Sequence, residues 1–415
     1  MRHFVSSLFI FLLSGGVPLL AQIIAPPPPP PAPGMSERPA VPAILPLDTS
    51  FHSWSTNDFQ VLNPEPSRFF WSDSTVRQVF AHAGTDGYWV RACIMPGASV
   101  YANHLRLQGT EGAGEPSWEH EVTYTGRYVP VAILVDGQAT YFAFELYGPE
   151  GGTYRDMMLL KLSSAGEREW LINLGPNYGT TGPRLLQAND QGEVLFLAQH
   201  YDQPRLFVVS EGGALLQQIN LPLQKEFVPR ALTLMEDGGV MILGFQRRYR
   251  PTTTVNLAFC RLDAQYQAVR FQEYATDYID DAFDLIAGPE DTFYFLARTA
   301  KMEERVNYIR LGQINSQLEI LRSVNYLDPQ HGIGYGLTRL ENGDIVHFQR
   351  SFIEDSREHR AALFLHDADL QPKGIFTLPG WQDTPFTIQS MPGRQVLVAG
   401  GLLSRGGWAF RVSLP

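Results

Sequence analysis

The hydrophobic pattern of the chain is that of β-strands joined in hairpins. The clearest example is residues 230–246, in which an alternating apolar segment, a polar turn at residues 236–239 and a second apolar segment follow one another. Residues 240–243 are continuously apolar, whereas a strand with one wet face would alternate. This hairpin is therefore predicted to be buried on both sides, between neighbouring sheets.

Related hairpins recur along the chain. Each turn can be indexed at one residue that reverses the backbone, and successive index residues lie 47 to 55 positions apart. Most of the turns supply Asp, Asn and Gly, which tight hairpins require. The index residues are Gly87, Gly137, Gly192, Gly239, Thr292, Gly343 and Gly393.

A second marker, the polar turn of an outer hairpin, recurs with nearly the same period. It falls at Ser163, Glu211, Asp263, Asn315 and Asp367, which are 48 to 52 positions apart. Two agreeing registers, four strands in each period and no helix-length amphipathic segment are typical of a β-propeller. We therefore predict an all-β fold, a seven-bladed β-propeller with four-stranded antiparallel blades.

The two ends of the globular part are predicted to meet. Residues 406–415 complete only the third strand of the last blade, and an open edge there would leave the ring unclosed. An upstream segment must supply the fourth strand. We predict that the aromatic segment of residues 51–70 pairs with the last blade, so that an N-terminal strand closes the propeller.

The N-terminus has the pattern of an export signal. A basic start precedes a short apolar run at residues 4–21, which predicts a signal peptide over residues 1–21 with cleavage after Ala21. A membrane anchor is the alternative. A Pro-rich linker at residues 22–47 precedes the predicted propeller at residues 48–415, and proline runs form stiff extended spacers. We expect an exported protein that is periplasmic, outer-membrane-associated or extracellular, with no transmembrane segment in the mature chain.

Net charge and cysteine content limit the kinds of partner and crosslink that we expect. The formal charge of −11 repels phosphate backbones, so we expect no nucleic acid partner. The two cysteines, Cys93 and Cys260, fall three predicted blades apart on different strands, so we expect two buried free thiols.

The repeats also carry a resemblance. Asp237 to Gly244 is an Asp-Gly-Gly turn with an apolar strand and a glycine, and Leu162 to Trp170 is a polar turn ending in tryptophan. This pattern resembles degenerate propeller repeats of exported bacterial proteins, including type IX secretion cargo, over about residues 51–415. The resemblance implies a fold rather than an activity, and the chain has no recognisable sorting domain of that cargo.

Few residues of the sequence are candidates for a catalytic role. In a propeller, the segments that cross between blades and the loops between second and third strands share one face, where ligands usually bind. If the protein is an enzyme, the catalytic candidates are Asp280, Asp281, Asp383 and His331; solvated loop residues are the plainer interpretation. No His/Cys cluster has metal-ligand spacing, so we expect no metal site and no cofactor.

A local cationic patch is the best binding candidate. Arg247, Arg248, Tyr249 and Arg250 stand together in an otherwise acidic chain and could hold a carboxylate. Tyr128, Tyr335 and Trp381 are further binding candidates on the crossing segments, and solvated charge is the alternative for the patch. By contrast, His82 and His347 lie on predicted inner strands, so we expect them to be hydrogen-bonded core residues.

The sequence thus favours a non-enzymatic exported propeller that binds a protein or glycan partner at the cell envelope, as a monomer or within a larger envelope assembly. The alternative is a carbohydrate-active hydrolase or lyase with its site at the mouth of the axial channel. A third hypothesis is a structural spacer without a specific ligand. Because fold alone does not give function, the site must decide among them.

Overall fold

The structure is a computed structural model of the whole chain. The chain divides into two compact units, Met1–Val41 and Pro42–Pro415, and every described residue belongs to the second. The predicted signal peptide and nearly all of the predicted linker lie outside the described residues. The structure describes residues 45–46, 60–61, 69–73, 78–84, 88–99, 102–110, 116–122, 127–137, 139–147, 155–176, 184–200, 203–221, 226–248, 254–276, 279–301, 306–328, 333–353, 358–378, 384–402 and 406–414.

The described residues form strands and turns, with no helix among them and hence none that could span a membrane. Three short strands come first: β1 (Leu45–Pro46), β2 (Gln60–Val61) and β3 (Phe69–Asp73). After them, antiparallel meanders of consecutive strands follow one another, each strand paired with the next. The predicted all-β class and the four-stranded antiparallel unit are confirmed.

We number the meanders in chain order. Meander 1 contains β4 (Gln78–Ala83), β5 (Trp89–Ser99), β6 (Ala102–Thr110) and β7 (Pro116–Val122); meander 2 contains β8 (Arg127–Asp136), β9 (Ala139–Tyr147), β10 (Arg155–Leu162) and β11 (Arg168–Pro176). Meander 3 contains β12 (Leu186–Ala188), β13 (Val194–His200), β14 (Gln203–Val209) and β15 (Leu215–Asn220); meander 4 contains β16 (Phe227–Leu234), β17 (Val240–Arg248), β18 (Thr254–Leu262) and β19 (Ala268–Ala275). Meander 5 contains β20 (Ile279–Ala287), β21 (Thr292–Lys301), β22 (Val306–Asn315) and β23 (Ile320–Asp328); meander 6 contains β24 (Ile333–Arg339), β25 (Ile345–Ile353), β26 (Glu358–His366) and β27 (Pro372–Leu378). Meander 7 contains β28 (Thr384–Met391), β29 (Gln395–Leu402) and β30 (Gly406–Ser413).

The three N-terminal strands pair with outer strands of later meanders. Strand β1 runs parallel to β19, and β2 runs parallel to β27. Strand β3 runs antiparallel to β30 and is the fourth strand of meander 7. The observed strand, residues 69–73, overlaps only the end of the predicted segment at residues 51–70, of which residues 51–59 and 62–68 lie outside the described part.

The central hairpin is β16 and β17, and β17 is buried on both faces as predicted. Val240 and Ile242 pack into one hydrophobic cluster with meander 3, while Met241 and Leu243 pack into another with meander 5. Successive side chains of a strand point to opposite faces, which explains the continuous apolar run. Each such side chain contributes about 1.5–3 kcal/mol through burial.

The first strands of five meanders share a β-bulge at the same place. The register shifts between Pro130 and Ala132, Pro229 and Ala231, Ala282 and Asp284, Gly334 and Gly336, and Pro385 and Thr387. Three of these bulges start at proline, which lacks the N–H of a regular ladder and is tolerated in edge strands and bulges. A bulge re-aims the extra residue's side chain. In β16 that residue is Arg230.

The outer hairpin turns repeat one hydrogen-bonded design. In each, a side chain accepts a hydrogen bond from the backbone N–H four residues later: Ser163, Ser210, Asp263, Asn315 and Asp367. The outer turn of meander 3 is therefore registered on Ser210, one residue before the predicted Glu211. Three residues into each turn the backbone has positive φ, at Gly166, Gly213, Tyr266, Leu318 and Leu370.

These positive-φ positions also form contacts between meanders. Trp118 of meander 1 lies against Gly166, and Trp170 of meander 2 lies against Gly213. In both cases a Cβ on the glycine would come within 2.7 Å of the indole ring. In meanders 4 to 6, a large side chain at the equivalent position is itself buried. The space at the third residue of the outer turn is thus filled in one of two ways. Either a tryptophan of the preceding meander packs over a glycine, or a large side chain of the turn residue itself occupies it.

Meanders 1 and 7, which are farthest apart in sequence, are hydrogen-bonded to each other. The Ala83 N–H donates to Gln389 Oε1 over 2.7 Å, and Gln389 Nε2 donates back to the Ala83 carbonyl over 2.9 Å. The Ala81 N–H donates to Thr387 Oγ1. We call the Gln389–Ala83 pair the Gln389 clasp.

Both cysteines are buried and neither forms a disulfide, as predicted. Burial raises the pKa of the Cys260 thiol to about 12, because the apolar surroundings disfavour the thiolate.

Candidate binding site

The predicted site residues that the structure describes come from one edge of the meanders. Antiparallel pairing places the start of each first strand beside the end of the second, as Phe227 beside Gln246 and Ile279 beside Ala300. We call this the crossing edge, and the opposite edge, where first and second strands turn, the turn edge. The described candidates of meanders 4 and 5, Arg247, Arg248, Asp280 and Asp281, lie toward the crossing edge.

The predicted cationic patch divides in two. Arg247 is exposed at the end of β17, with its guanidinium carbon 5.2 Å from the centroid of the Phe245 ring. Arg248 instead pairs with the buried carboxylate of Glu273, with Nε 2.7 Å from Oε1. The hydrogen bond to Glu273 raises the pKa of Arg248. Arg248 therefore neutralises a buried acid, while Arg247 faces solvent; Tyr249 and Arg250 lie outside the described residues.

Arg230 also lies against Phe245. Its guanidinium carbon is 5.0 Å from the ring centroid, so that two arginines contact one phenylalanine. Burial lowers the pKa of Arg230, Asp281 raises it and Arg247 lowers it further. The β16 bulge after Pro229 places Arg230 here.

Asp281 links Arg230 to a third arginine, Arg298. Asp281 and Arg298 are directly opposed on β20 and β21, with Oδ2 3.4 Å from the Arg298 terminal nitrogen. Asp281 Oδ1 is 4.0 Å from Arg230 Nε. Both distances exceed the 2.7–2.9 Å of a strong charge-assisted hydrogen bond. Asp281 Oδ1 and Arg298 Nε are buried and have no hydrogen-bond partner among the described residues.

These residues form a loosely engaged group, which we call the arginine cluster: Arg230, Arg247, Arg298 and Asp281. It contrasts with the ion pair between Arg184 and Asp284 in the same fold, which closes to 2.8 Å. Arg247 has no carboxylate within ion-pair distance in the described part of the chain. Arg230 and Arg298 both approach the carboxylate of Asp281, and Asp281 Oδ1 and Arg298 Nε still lack a hydrogen bond among the described residues. Such a group can take up an added anion, because guanidinium matches carboxylate in charge and shape.

Asp280 points away from the arginine cluster. Its carboxylate is buried and accepts hydrogen bonds from Thr299 Oγ1 over 2.6 Å and Thr276 Oγ1 over 2.7 Å. Burial raises the pKa of Asp280 to about 6, and the threonine hydrogen bonds oppose that rise. Because neighbours on a strand face opposite sides, Asp280 and Asp281 do not form the convergent pair that acid–base cleavage needs.

Asp284 is held in the interior. Its Oδ1 lies 2.8 Å from Arg184 Nε, and its Oδ2 accepts the Leu337 N–H over 2.7 Å. Arg184 also donates to the Leu337 carbonyl over 2.7 Å. Burial raises the pKa of Asp284, with Arg184 acting in the opposite direction. Arg184, just before β12, thus ties meander 3 to meanders 5 and 6.

The other predicted ligand residues are placed as follows. Tyr128 is 2% exposed and packs 5.7 Å from Phe144, which puts it in the core. Tyr335 is the bulged residue of β24. His331, Trp381 and Asp383 lie outside the described residues.

The two inner-strand histidines are hydrogen-bonded as predicted, His347 in the core and His82 half-buried. His82 Nδ1 accepts the Val135 N–H over 3.0 Å, and His347 Nδ1 lies 3.0 Å from His366 Nε2. Burial lowers the pKa of both His82 and His347 to about 3. No sequence pattern pointed to His366, whose Nδ1 lies 2.9 Å from the Tyr326 hydroxyl.

The turn edge carries a cavity of about 530 Å³. It lies beside the Gln389 clasp, and its charged lining side chains are Arg339 and Glu341. The described residues put one carboxylate, that of Glu341, in its lining and thus do not provide the pair of acids that a glycosidase needs. Within the described residues, no group of three or more His, Cys, Asp or Glu could hold a metal ion.

Comparison with known proteins gives similar folds only. No family model matches the chain, and no curated protein matches it. The β-propeller domain of the Trilobed protease from Pyrococcus furiosus is 8% identical, with 82% of this chain and 95% of that chain covered and a TM-score of 0.49. A PL25 ulvan lyase is 8% identical, covering 67% and 82% with a TM-score of 0.47. Prolyl oligopeptidase B from Galerina marginata is 11% identical, covering 79% of this chain and 48% of its own length, with a TM-score of 0.48.

Proposed function

We propose that the chain is an exported, non-enzymatic, seven-bladed β-propeller that binds an anionic partner, a carboxylate-bearing protein or glycan at the cell envelope, through the arginine cluster. The single observation that carries the binding proposal is the loose engagement of Asp281 by Arg230 and Arg298, at 4.0 and 3.4 Å, beside the exposed Arg247. The seven-bladed ring is the frame in which this cluster faces a partner.

The ring proposal is supported by contacts between successive meanders. The first strand of each meander contacts the first strand of the next, and β28 of meander 7 contacts β4 of meander 1. Hydrophobic clusters join the meanders in the same order, including one shared by meanders 7 and 1 around Trp89 and Leu397. The Gln389 clasp and the β3–β30 pairing add hydrogen bonds between the two ends.

The export proposal is supported by sequence. The apolar run at residues 4–21 and the proline tract after it fit a protein that is sent out of the cytoplasm and held away from a surface. The likeness of the repeats to those of exported bacterial propellers, type IX cargo included, agrees with that address. An envelope partner is the corresponding expectation.

The chemistry of the cluster favours binding over catalysis. Asp280 is shielded by two threonines, and Asp284 is paired with Arg184. Asp281 is therefore the described candidate acid that faces the arginines, and a single acid beside guanidinium groups suits anion recognition. A hydrolase or lyase would need a second acid or base at a defined distance.

The proposal can be tested by measuring binding of the mature chain to polygalacturonate and, separately, to a poly-glutamate peptide, at low and high salt. Arg247→Gln and Arg298→Gln each remove one positive charge from the cluster. Loss of a charged hydrogen bond costs about 1.5–3 kcal/mol, so each variant should bind about tenfold or more weakly. The matched control is Arg322→Gln. It removes the charge of a partly exposed arginine that lies on the outer strand β23 and pairs with Asp369.

The two probes separate a glycan from a protein partner. Binding of one probe that weakens with salt and with both cluster variants, but not with Arg322→Gln, supports the proposal. No binding of either probe by the wild-type chain, or equal losses in all three variants, would overturn it. Release of unsaturated or reducing sugar ends from polygalacturonate would favour the enzyme alternative instead.

A further inference from the structure

The outer strand of meander 3 differs from the other outer strands. Strand β15, with the sequence LLQQIN, contains no Asp, Glu, Lys or Arg. Charges on an edge strand discourage pairing with another chain, so β15 lacks this protection. In the part of the chain that the structure describes, the other outer strands carry charged residues: Glu119 and Glu121 on β7, Arg168 and Glu169 on β11, Arg270 and Glu273 on β19, Arg322 and Asp328 on β23, Lys373 on β27, and Asp73 on β3.

Strand β15 also presents apolar side chains and unpaired backbone groups. Leu215 is 46% exposed and Leu216 is 49% exposed. Among the described strands β15 pairs with β14 alone. The Leu221 N–H bonds inward to the Pro204 carbonyl, and because ladder bonds alternate, the amides of Gln218 and Asn220 point outward. The free edge is therefore a template for another strand.

The same chain already uses equivalent edges in this way. Strand β1 adds to β19, β2 adds to β27 and β3 adds to β30, each on the outer side of its meander. Strand addition at an outer edge is thus an established interface of this fold. At β15 the corresponding position is not filled by any described strand.

We propose that β15 is a self-association edge, at which two copies of the chain pair antiparallel about a two-fold axis. An uncharged edge selects an equally uncharged strand, and β15 of a second copy meets that condition. Self-pairing would bring leucine and glutamine side chains together, with no charges on the paired strands. Self-pairing of β7, by contrast, would oppose the like charges of Glu119 and Glu121. Because the pairing uses up the edge of both copies, assembly stops at the dimer.

The proposed dimer is weak and reversible. One six-residue strand per copy buries a small area, at the low end of specific interfaces, below about 1,200 Å² in total. This inference does not depend on the arginine cluster, which lies on meanders 4 and 5 at the crossing edge. The two proposals can therefore fail separately.

The test is sedimentation velocity of the mature chain over a range of concentrations. Leu216→Lys places a charge on the edge of each copy, and Gln218→Pro removes an outward N–H without removing a β14 hydrogen bond. Each should weaken dimerisation by about tenfold or more. The matched control is Leu321→Lys on β23, where the leucine is also 49% exposed.

Concentration-dependent dimerisation that is weakened by Leu216→Lys and Gln218→Pro, and retained in Leu321→Lys, supports the proposal. A wild-type chain that stays monomeric at every soluble concentration overturns it, as does equal weakening by the two lysine variants. Assembly beyond the dimer would also contradict a closed two-fold interface. If the monomer instead takes up an unrelated extended peptide at β15, the edge serves another partner and the second-copy proposal fails.

Discussion

The Gln389 clasp offers the sharpest perturbation of the contact between meanders 1 and 7. The change is Gln389→Met, which keeps the length of the side chain and removes its amide. The Ala83 N–H and carbonyl, on a residue 4% exposed, then lose the 2.7 and 2.9 Å hydrogen bonds that join β4 to β28. Methionine is flexible and similar in volume, so the packing cost stays small.

The magnitude follows from the two backbone groups. A buried donor or acceptor left without a partner costs about 1–3 kcal/mol, so two such groups set a range of about 2–6 kcal/mol. Gln389 also lines the turn-edge cavity, from which water can partly replace the lost amide. We therefore expect a loss of about 2–3 kcal/mol in the free energy of unfolding, toward the lower end of that range.

The assay is urea unfolding followed by tryptophan fluorescence, together with hydrogen exchange of the Ala83 amide. The matched control is Gln371→Met, at an exposed glutamine whose side chain makes only a 3.5 Å contact with the Asp369 carbonyl. The control should change stability by less than about 0.5 kcal/mol. If Gln389→Met is as stable as the control and the Ala83 amide keeps its protection, the clasp does not join the meanders and the reasoning fails.

Three further predictions test other parts of the fold. Gly213→Ala should lower the free energy of unfolding in urea by about 2 kcal/mol or more, since the φ of Gly213 is +85° and a Cβ there would lie 2.7 Å from Trp170 Cγ. In the control Gly212→Ala the new Cβ would have no atom within 4 Å, so stability should hardly change. The free energy of unfolding should fall as pH drops from about 6.5 toward 3, because His82 and His347, whose folded pKa values are lowered to about 3, take up protons first in the unfolded chain. The variant His347→Phe should reduce this pH dependence. Asp280, whose pKa is raised to about 6, has the opposite effect between about pH 3.8 and 6. Cys93 and Cys260 should resist alkylation in the native protein and both react once it is unfolded, as counted by mass spectrometry, and rapid native labelling of either would contradict their burial.

The strand framework could be predicted because its signals are local. Gly137, Gly192 and Gly343 have positive φ in the hairpin turns. Glycine adopts this conformation readily, so a glycine between two apolar segments is a local signal for the turn. The small errors in register have the same local origin. In the central hairpin the positive φ falls on Gly238 rather than Gly239, and the outer turn of meander 3 is registered on Ser210 rather than Glu211.

The arginine cluster could be predicted only in part. Arg247 was visible as a positive charge in an acidic chain, but nothing in the linear sequence distinguishes it from Arg248, which pairs with a glutamate on another strand. Arg298 was missed because its position opposite Asp281 depends on the register of β20 and β21. Arg230 had one usable signal: it directly follows a proline inside an apolar strand, where a bulge is expected.

Long-range polar contacts left no sequence signal. Arg184 reaches Asp284 and Leu337 over separations of 100 and 153 positions, and His366 on β26 meets His347 on the adjacent strand β25. Each is one polar residue in an apolar context, where periodicity predicts burial but not the partner. Tyr128 shows the same limit, since an aromatic in a crossing segment can be a ligand platform or, as here, a core residue.

The most direct test of the proposed closed ring is a disulfide between β3 and the last strand, β30. Trp71 and Ala409 are directly opposed on β3 and β30, and cross-strand Cα separations of about 4.5–5.5 Å suit a disulfide. In the double variant Trp71→Cys/Ala409→Cys, oxidation of the native protein should yield one intramolecular crosslink, identified by peptide mass spectrometry, whereas Trp71→Cys/Leu216→Cys should yield none. Absence of the first crosslink, or equal formation of both, would contradict closure of the propeller by its N-terminal strand.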